Sequence, residues 1–166
     1  MKDYIIREIK QAEISLLGDF LYEAIFQRDE QNRLPREVIN QPELMVYIED
    51  FGRKNDQCLV VECDGKIVGA VWTRILSGKI SGFGNVDDQT PEFAISLVQE
   101  YRNRGIGTEL MKQMLKRLKT AGYRRASLAV QKDNYALKMY QTVGFRVIDE
   151  LEQEYLMICQ LADDLI

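Results

Sequence analysis

The chain has 166 residues, 46% of them apolar and 29% charged, which is enough to build a folded core without disulfide or metal staples. Its 22 basic and 26 acidic residues leave a net charge of -4, which argues against general nucleic-acid binding. It contains no histidine, so His-ligated metal sites, a Ser-His-Asp triad and a Cys-His dyad are excluded together, and acid–base chemistry falls to carboxylates, Tyr, Cys, Lys, backbone or water.

No repeat, low-complexity tract or Pro/Gly/Ser-rich linker interrupts the chain, so residues 1–166 read as a single domain. The N-terminal MKDYIIREIKQ carries charge inside its apolar run and does not read as a signal peptide. No stretch approaches the ~20 apolar residues of a membrane span, so no membrane partner is expected and the expected location is cytoplasmic. Tyr4 to Ile9 reads as a short strand. Ile14, Leu17, Leu21 and Ile25 recur at helical spacing and predict a helix over 11–26 with one buried face. The stretch 27–41 is polar and carries Asp29, Glu30 and Glu37. A second helix is predicted from Pro42, a residue suited to a first turn, to near Gly52.

The period then changes. CLVVEC (58–63) predicts a buried strand, Asp64-Gly65 a two-residue hairpin turn that needs positive φ at both positions, and 66–75 the partner strand. SGKISGFGNVDDQT (77–90) reads as a loop and Glu92 to Val98 as another strand. A helix of four turns is predicted from Gly105 to near Thr120, with Ile106, Leu110, Met111, Met114, Leu115 and Leu118 as its buried stripe and Gly122 as its stop. Ala126 to Val130 predicts a strand, Asp133 or Asn134 the cap of a short helix ending at Gly144, and 145–151 and 155–161 two closing strands. The order β-α-α-β-β-β-α-β-α-β-β predicts an α/β fold, a mixed sheet with helices on both faces. Cys58, Cys63 and Cys159 are odd in number and form no close CxxC pair, so neither a zinc site nor a disulfide framework is expected, and they read as buried thiols.

The segment LVQEYRNRGIGTEL (97–110) carries the chemistry. A strand ends, a short basic turn follows, and two glycines open a helix whose first N–H groups have no intrahelical partner and lie at the positive end of its dipole. Such an opening holds a diphosphate without a P-loop lysine, with Arg102 and Arg104 adding charge. A dinucleotide fingerprint would need Gly where Leu110 stands, and a Walker motif would need Gly-Lys-Ser/Thr where Gly107 is followed by Thr108 and Glu109. Between Tyr101 and Arg125 the chain carries eight Lys or Arg and one acid, Glu109, an asymmetry expected of a surface facing a polyanion.

Arg102-Asn-Arg-Gly-Ile-Gly107 resembles the acyl-CoA-binding motif (Q/R)xxGx(G/A) of the GNAT superfamily of N-acetyltransferases, and Asn134-Tyr-Ala-Leu-Lys-Met-Tyr-Gln-Thr-Val-Gly-Phe145 resembles its second motif, N-x-A-x-x-x-Y-x-x-x-G-F. The resemblance is close over 90–160 and only a pattern of elements before that. It implies a GNAT-like fold, a largely antiparallel sheet splayed between its fourth and fifth strands. It implies acetyl-CoA as acyl donor, with main-chain groups of Leu97 and Val98 on the pantetheine arm. Backbone N–H groups of Arg102, Arg104, Gly105, Ile106, Gly107 and Thr108 would then lie on the diphosphate. Asn134 matches a position that binds the pantetheine arm and is equally a helix cap. Tyr140 matches the general acid that protonates the departing sulfur. Glu92 stands at the strand offset where some members carry their general base, and Ala129 excludes a base on the following strand. No metal is required.

The implied reaction is transfer to an amine in a ternary complex, with a backbone N–H near Val98 facing the developing oxyanion. Asp29, Glu30, Glu37, Asp87, Asp88 and Glu92 fall in the segments that build the family's acceptor site, which points to a cationic acceptor: a small molecule, or a peptide or protein amine. Trp72 and Phe83 line that site or pack in the core. A thiol route through the three cysteines does not fit their positions in the first hairpin and last strand. The resemblance leaves room for a homodimer. The rival reading is a non-catalytic acyl-CoA-binding sensor, which needs the cationic turn but neither Tyr140 nor Glu92.

Overall fold

The computed structural model describes residues 3–27, 29 and 31–162. Among them lie seven strands, β1 (Ile5–Glu8), β2 (Gln57–Cys63), β3 (Lys66–Arg74), β4 (Glu92–Leu97), β5 (Arg125–Gln131), β6 (Phe145–Glu150) and β7 (Glu154–Gln160), in one sheet ordered β1-β2-β3-β4-β5-β7-β6. Every neighbouring pair is antiparallel except β4 and β5. Asp64 and Gly65 hold φ of 50° and 78°, the pair of positive values that matches the turn to the twist of β2 and β3.

Helices cover both faces. On one, α3 (Ile106–Thr120) buries Ile106, Leu110, Met111, Met114, Leu115 and Leu118 as its spacing predicts, and α4 (Ala136–Thr142) packs beside it. Each such side chain contributes about 1.5–3 kcal/mol of burial. On the other, α1 (Leu17–Ala24) places Leu17, Phe20 and Leu21 against Val60, Ala70 and Trp72.

Two predicted helices are shorter than their periodicity suggests. Over 11–26 the chain first forms a 3-10 helix, Gln11–Leu16, and α1 stops at Ala24. Glu13 is the cause at the start: its carboxylate accepts from the Lys10 N–H (2.8 Å) and from Arg7 (2.7 and 2.9 Å), while its own N–H donates three residues back to the Lys10 carbonyl. The helix from Pro42 is a single turn, α2 (Pro42–Met45). Beyond it, buried side chains of β3 take the carbonyls a helix would need. Trp72 Nε1 donates to the Tyr47 carbonyl (3.0 Å), and Arg74 Nη1 donates to those of Val46 (3.0 Å) and Glu49 (2.7 Å). Arg74 is itself neutralised by Asp56 at 3.0 Å, with both side chains almost fully buried. This turn sets Tyr47 in the core, facing the start of β4.

No helix among the described residues is long and apolar enough to cross a membrane.

Candidate active site

β4 and β5 meet at one register pair only, Glu92 with Ser127, backed by the Ser127 N–H on the Pro91 carbonyl at 2.9 Å. Beyond that pair the two parallel strands part, where the sequence places the splay. Strand parity decides which backbone groups face the gap. The Val98 N–H donates to the Val68 carbonyl on the β3 side (2.9 Å), so the amides of Phe93, Ile95 and Leu97 point the other way, toward β5. This corrects the expectation for Val98: its N–H is bound in the sheet side of the gap and its carbonyl accepts from the Tyr101 N–H. Leu97 keeps its place on the gap edge, with its carbonyl accepting from Arg102 Nε at 3.0 Å.

The turn 98–105 carries the chain from this edge to the start of α3. Gly105 is the N-cap in the left-handed region (φ 81°), and Asn103 shares that region at 63°. A side chain on Gly105 would meet nothing within 4 Å, so its backbone faces open space. Gly107 has a packing reason as well, because a Cβ there would lie 3.1 Å from the Met139 sulfur of α4. The first intrahelical bond runs from Glu109 to Gly105, which leaves the amides of Ile106, Gly107 and Thr108 unpaired by the helix. Arg102 differs from expectation in that its N–H donates to the Gln99 carbonyl, leaving its guanidinium as its contribution. Arg104 lies over the Tyr101 ring (5.4 Å) and does not reach the cavity, and the Ile106 side chain is buried in the core.

A cavity of about 470 Å³ lies against this opening, lined by Leu97, Arg102, Gly105, Gly107, Thr108 and Tyr140 among others. Arg33 and Lys138 add charge to its wall, from positions that no motif in the sequence singles out. Glu23 stands between Arg33 (3.4 Å) and Arg102 (3.7 Å). The remaining basic residues of 101–125 are not gathered here: Arg117 pairs with Glu8 and Arg125 with Asp87. A second cavity of about 590 Å³ is lined by residues of both β4 and β5, and the two cavities share Ala24, Ile25, Phe26, Ile95, Asn134 and Tyr140. Tyr140 is half-buried, its ring edge-on to Phe145, and its hydroxyl has no hydrogen-bond partner among the described residues. Burial drives its phenol well above the ordinary range, so it stays protonated at neutral pH. Asn134 stands just before Tyr135, the N-cap of α4, its Oδ1 accepting from the Ala136 N–H at 2.9 Å, while lining both cavities.

Glu92 lines the second cavity and is only 3% exposed. Its Oε2 accepts from the Tyr47 hydroxyl and from the Gly84 N–H (2.9 Å), whereas Oε1 is buried and meets no donor among the described residues. Burial pushes the carboxyl up to about 7, with Glu154 adding repulsion and the two hydrogen bonds opposing it. The loop fits tightly around it. A Cβ on Gly82 would stand 2.0 Å from Oε1, and one on Gly84 would stand 2.7 Å from the β5 backbone.

The other acids expected here lie elsewhere. Asp29 is tied to Gln31 and Asn32 within its own turn, Glu37 and Asp88 are exposed outside both cavities, and Asp87 is neutralised by Arg125. Glu30 lies outside the described residues. In their place β7 and the turn before it bring Glu152 and Glu154 to the cavity wall. Phe83 lines the cavity and stacks on Tyr47 (6.4 Å between centroids), while Trp72 is buried in the core. All three cysteines are free, buried and absent from both cavity walls, with burial pushing the Cys58 thiol up to about 12.

The sequence model of the Acetyltransferase (GNAT) family matches residues 21–145, which include the gap, the helix opening and Tyr140. The chain belongs to the acetyltransferase (GNAT) family. This acetyltransferase is 28% identical over 118 residues, 66% of its length and 68% of the relative's, to an N-alpha-acetyltransferase of Sulfurisphaera tokodaii. Its fold is shared with the PaiA N-acetyltransferase of Thermoplasma acidophilum, solved in complex with coenzyme A (TM-score 0.69, 18% identity, 96% and 99% of the two chains covered). It is shared too with a GNAT-family acetyltransferase of Streptococcus pneumoniae (TM-score 0.67, 22% identity, 96% and 99% covered).

Proposed function

We propose that this acetyltransferase, with residues 1–166 acting as one domain, transfers an acetyl group from acetyl-CoA to a primary amine by direct attack in a ternary complex. One observation carries the reading. A cavity against a cationic helix opening and a cavity lined by carboxylates and by no Lys or Arg among the described residues meet at Tyr140, beside a strand gap.

The donor fits the first cavity. The unpaired amides of Ile106, Gly107 and Thr108, with Arg102, Arg33 and Lys138, suit a diphosphate, and the open φ of Gly105 lets it approach. Acetyl-CoA supplies a thioester-activated acetyl group. The edge amides of Ile95 and Leu97 pair with the pantetheine arm and stabilise charge on the thioester carbonyl, the role the resemblance gives to main-chain groups of Leu97 and Val98. Tyr140 donates its proton to the departing sulfur. Glu92 takes the proton of the amine through water, since β4 rises about 3.3 Å per residue and sets Glu92 some way from Ile95. A carboxyl near 7 is matched to that task at neutral pH.

The acceptor is a cation with an apolar body. Glu92, Glu152 and Glu154 attract an ammonium, and Leu21, Leu44, Phe83, Phe93 and Leu151 form the walls. A small-molecule amine and a peptide or protein amine both meet this description. The test is release of CoA from acetyl-CoA across an amine panel, with calorimetry for donor binding. Tyr140→Phe lowers kcat roughly tenfold to a thousandfold with donor affinity unchanged. An unchanged kcat removes Tyr140 from the mechanism, and donor binding without turnover on any amine favours the sensor.

A further inference from the structure

We propose that Tyr47 is a positioning residue for the transfer: its hydroxyl donates to Glu92 Oε2 and holds the carboxylate in its ionised, proton-accepting form at the cavity wall. The inference rests on the function proposed above. The direction of each bond is settled by its neighbours. The Phe83 N–H donates to the Tyr47 hydroxyl oxygen at 2.9 Å, so the phenol proton turns to Glu92 Oε2. The Gly84 N–H reaches the same oxygen at 2.9 Å. Oε2 thus carries two donors, whereas Oε1 is buried and meets none among the described residues.

Tyr47 holds this geometry because its own main chain is fixed by Trp72 and its ring stacks on Phe83. The charged and titratable neighbours are few. From β7 comes the Glu154 carboxylate, which repels Glu92. Glu152 lies on the same cavity wall and Tyr140 at its far end. Arg74, the β3 register partner of Glu92, gives its guanidinium to Asp56 and two carbonyls instead. Among the described residues, Tyr47 is therefore the side chain that donates to this carboxylate.

Tyr47→Phe keeps the ring and removes the donor. Losing a bond to the ionised form favours the protonated form, so the acid limb of kcat/KM moves to higher pH. The shift is about one to two pH units, since a hydrogen bond to a charged group is worth about 1.5–3 kcal/mol and one unit is about 1.36. At pH values below the limb kcat/KM falls about tenfold or more, and it recovers on the alkaline plateau. Glu92→Gln abolishes the limb, and adding Tyr47→Phe to Glu92→Gln changes little further. A limb that persists in Glu92→Gln overturns the proposal without recourse to Tyr47→Phe. So does a Tyr47→Phe enzyme with a lowered Tm but an unmoved limb. Wild-type protein that binds acetyl-CoA yet acetylates no amine refutes the underlying function instead.

Discussion

Gly82→Ala is the most direct perturbation of the acceptor side. The added carbon would stand 2.0 Å from Glu92 Oε1 and 2.8 Å from the carboxyl carbon, so one partner must move by more than 1 Å. A carboxylate at the end of a free side chain would swing aside cheaply, but this one is bound by Tyr47 and Gly84. The loop is held as well, by Gly82 N–H on the Leu76 carbonyl and by Phe83 N–H on Tyr47, both at 2.9 Å. Relief therefore breaks one or two of these bonds. At about 1 kcal/mol for a neutral bond and 1.5–3 for one to a charged group, the stability loss is about 1–4 kcal/mol. For a chain of this size that lowers Tm by roughly 2–4 °C per kcal/mol. The larger effect falls on turnover, because a misplacement of about 1 Å at a reacting group costs on the order of a hundredfold. Thermal melts, steady-state kinetics and acetyl-CoA titration separate the terms: kcat falls, Tm falls by several degrees, and donor affinity holds. A Gly82→Ala enzyme with wild-type kcat and Tm refutes the claim that this loop sets the carboxylate.

Gly105→Ala forces a side chain into the left-handed region, costs about 1–2 kcal/mol of stability and weakens acetyl-CoA binding, both readable by melting and calorimetry. Glu23→Gln releases Arg33 and Arg102 and tightens acetyl-CoA binding a few-fold at low salt, a gain that vanishes at high salt if it is electrostatic. Asp56→Asn leaves Arg74 buried without its counter-charge and costs about 3–5 kcal/mol in denaturant melts. Stability as a function of pH separates two kinds of carboxyl. Arg7 and Arg125 hold Glu13 and Asp87 down at about 2, so their contribution is present above the unfolded carboxyl range and is lost as pH falls toward 2. Glu92 has the opposite sign: raised to about 7, it holds a proton the unfolded chain has released, so stability declines as pH climbs from the usual carboxyl range to 7. Glu92→Gln removes that decline, and a Tm profile that keeps its slope in the variant locates the titration elsewhere.

The features that local chemistry controls were legible in the chain. The α3 stripe, the Asp64-Gly65 turn and the glycine-opened helix depend on residues within a few positions of one another, and all stand where the pattern puts them. Helix lengths at 11–26 and after Pro42 were not, because Arg7 and the β3 residues Trp72 and Arg74 compete for the groups involved. The same limit governs the site. Glu92 could be named from its strand, but Tyr47 is 45 positions away and only the packing of the turn after α2 joins them. Acidic residues in the acceptor segments carry no sign of direction in the sequence, so Asp87, which faces Arg125, is indistinguishable there from an acid that lines the cavity, and Glu154 in the closing strand carries no signal at all. Val98 shows how fine the margin is: one step along β4 turns an amide from the gap to the β3 side.

The lone register pair between β4 and β5 makes the sheet two plates on a short seam, β1 to β4 on one side and β5 to β7 on the other. A ligand arm laid along the gap acts as the missing rungs between them. Deuterium uptake at Ile95 and Leu97 then slows when that arm is in place, while amides deep in the β2–β3 ladder keep their rates. The molecule's stiffness, on this view, is completed by what it carries.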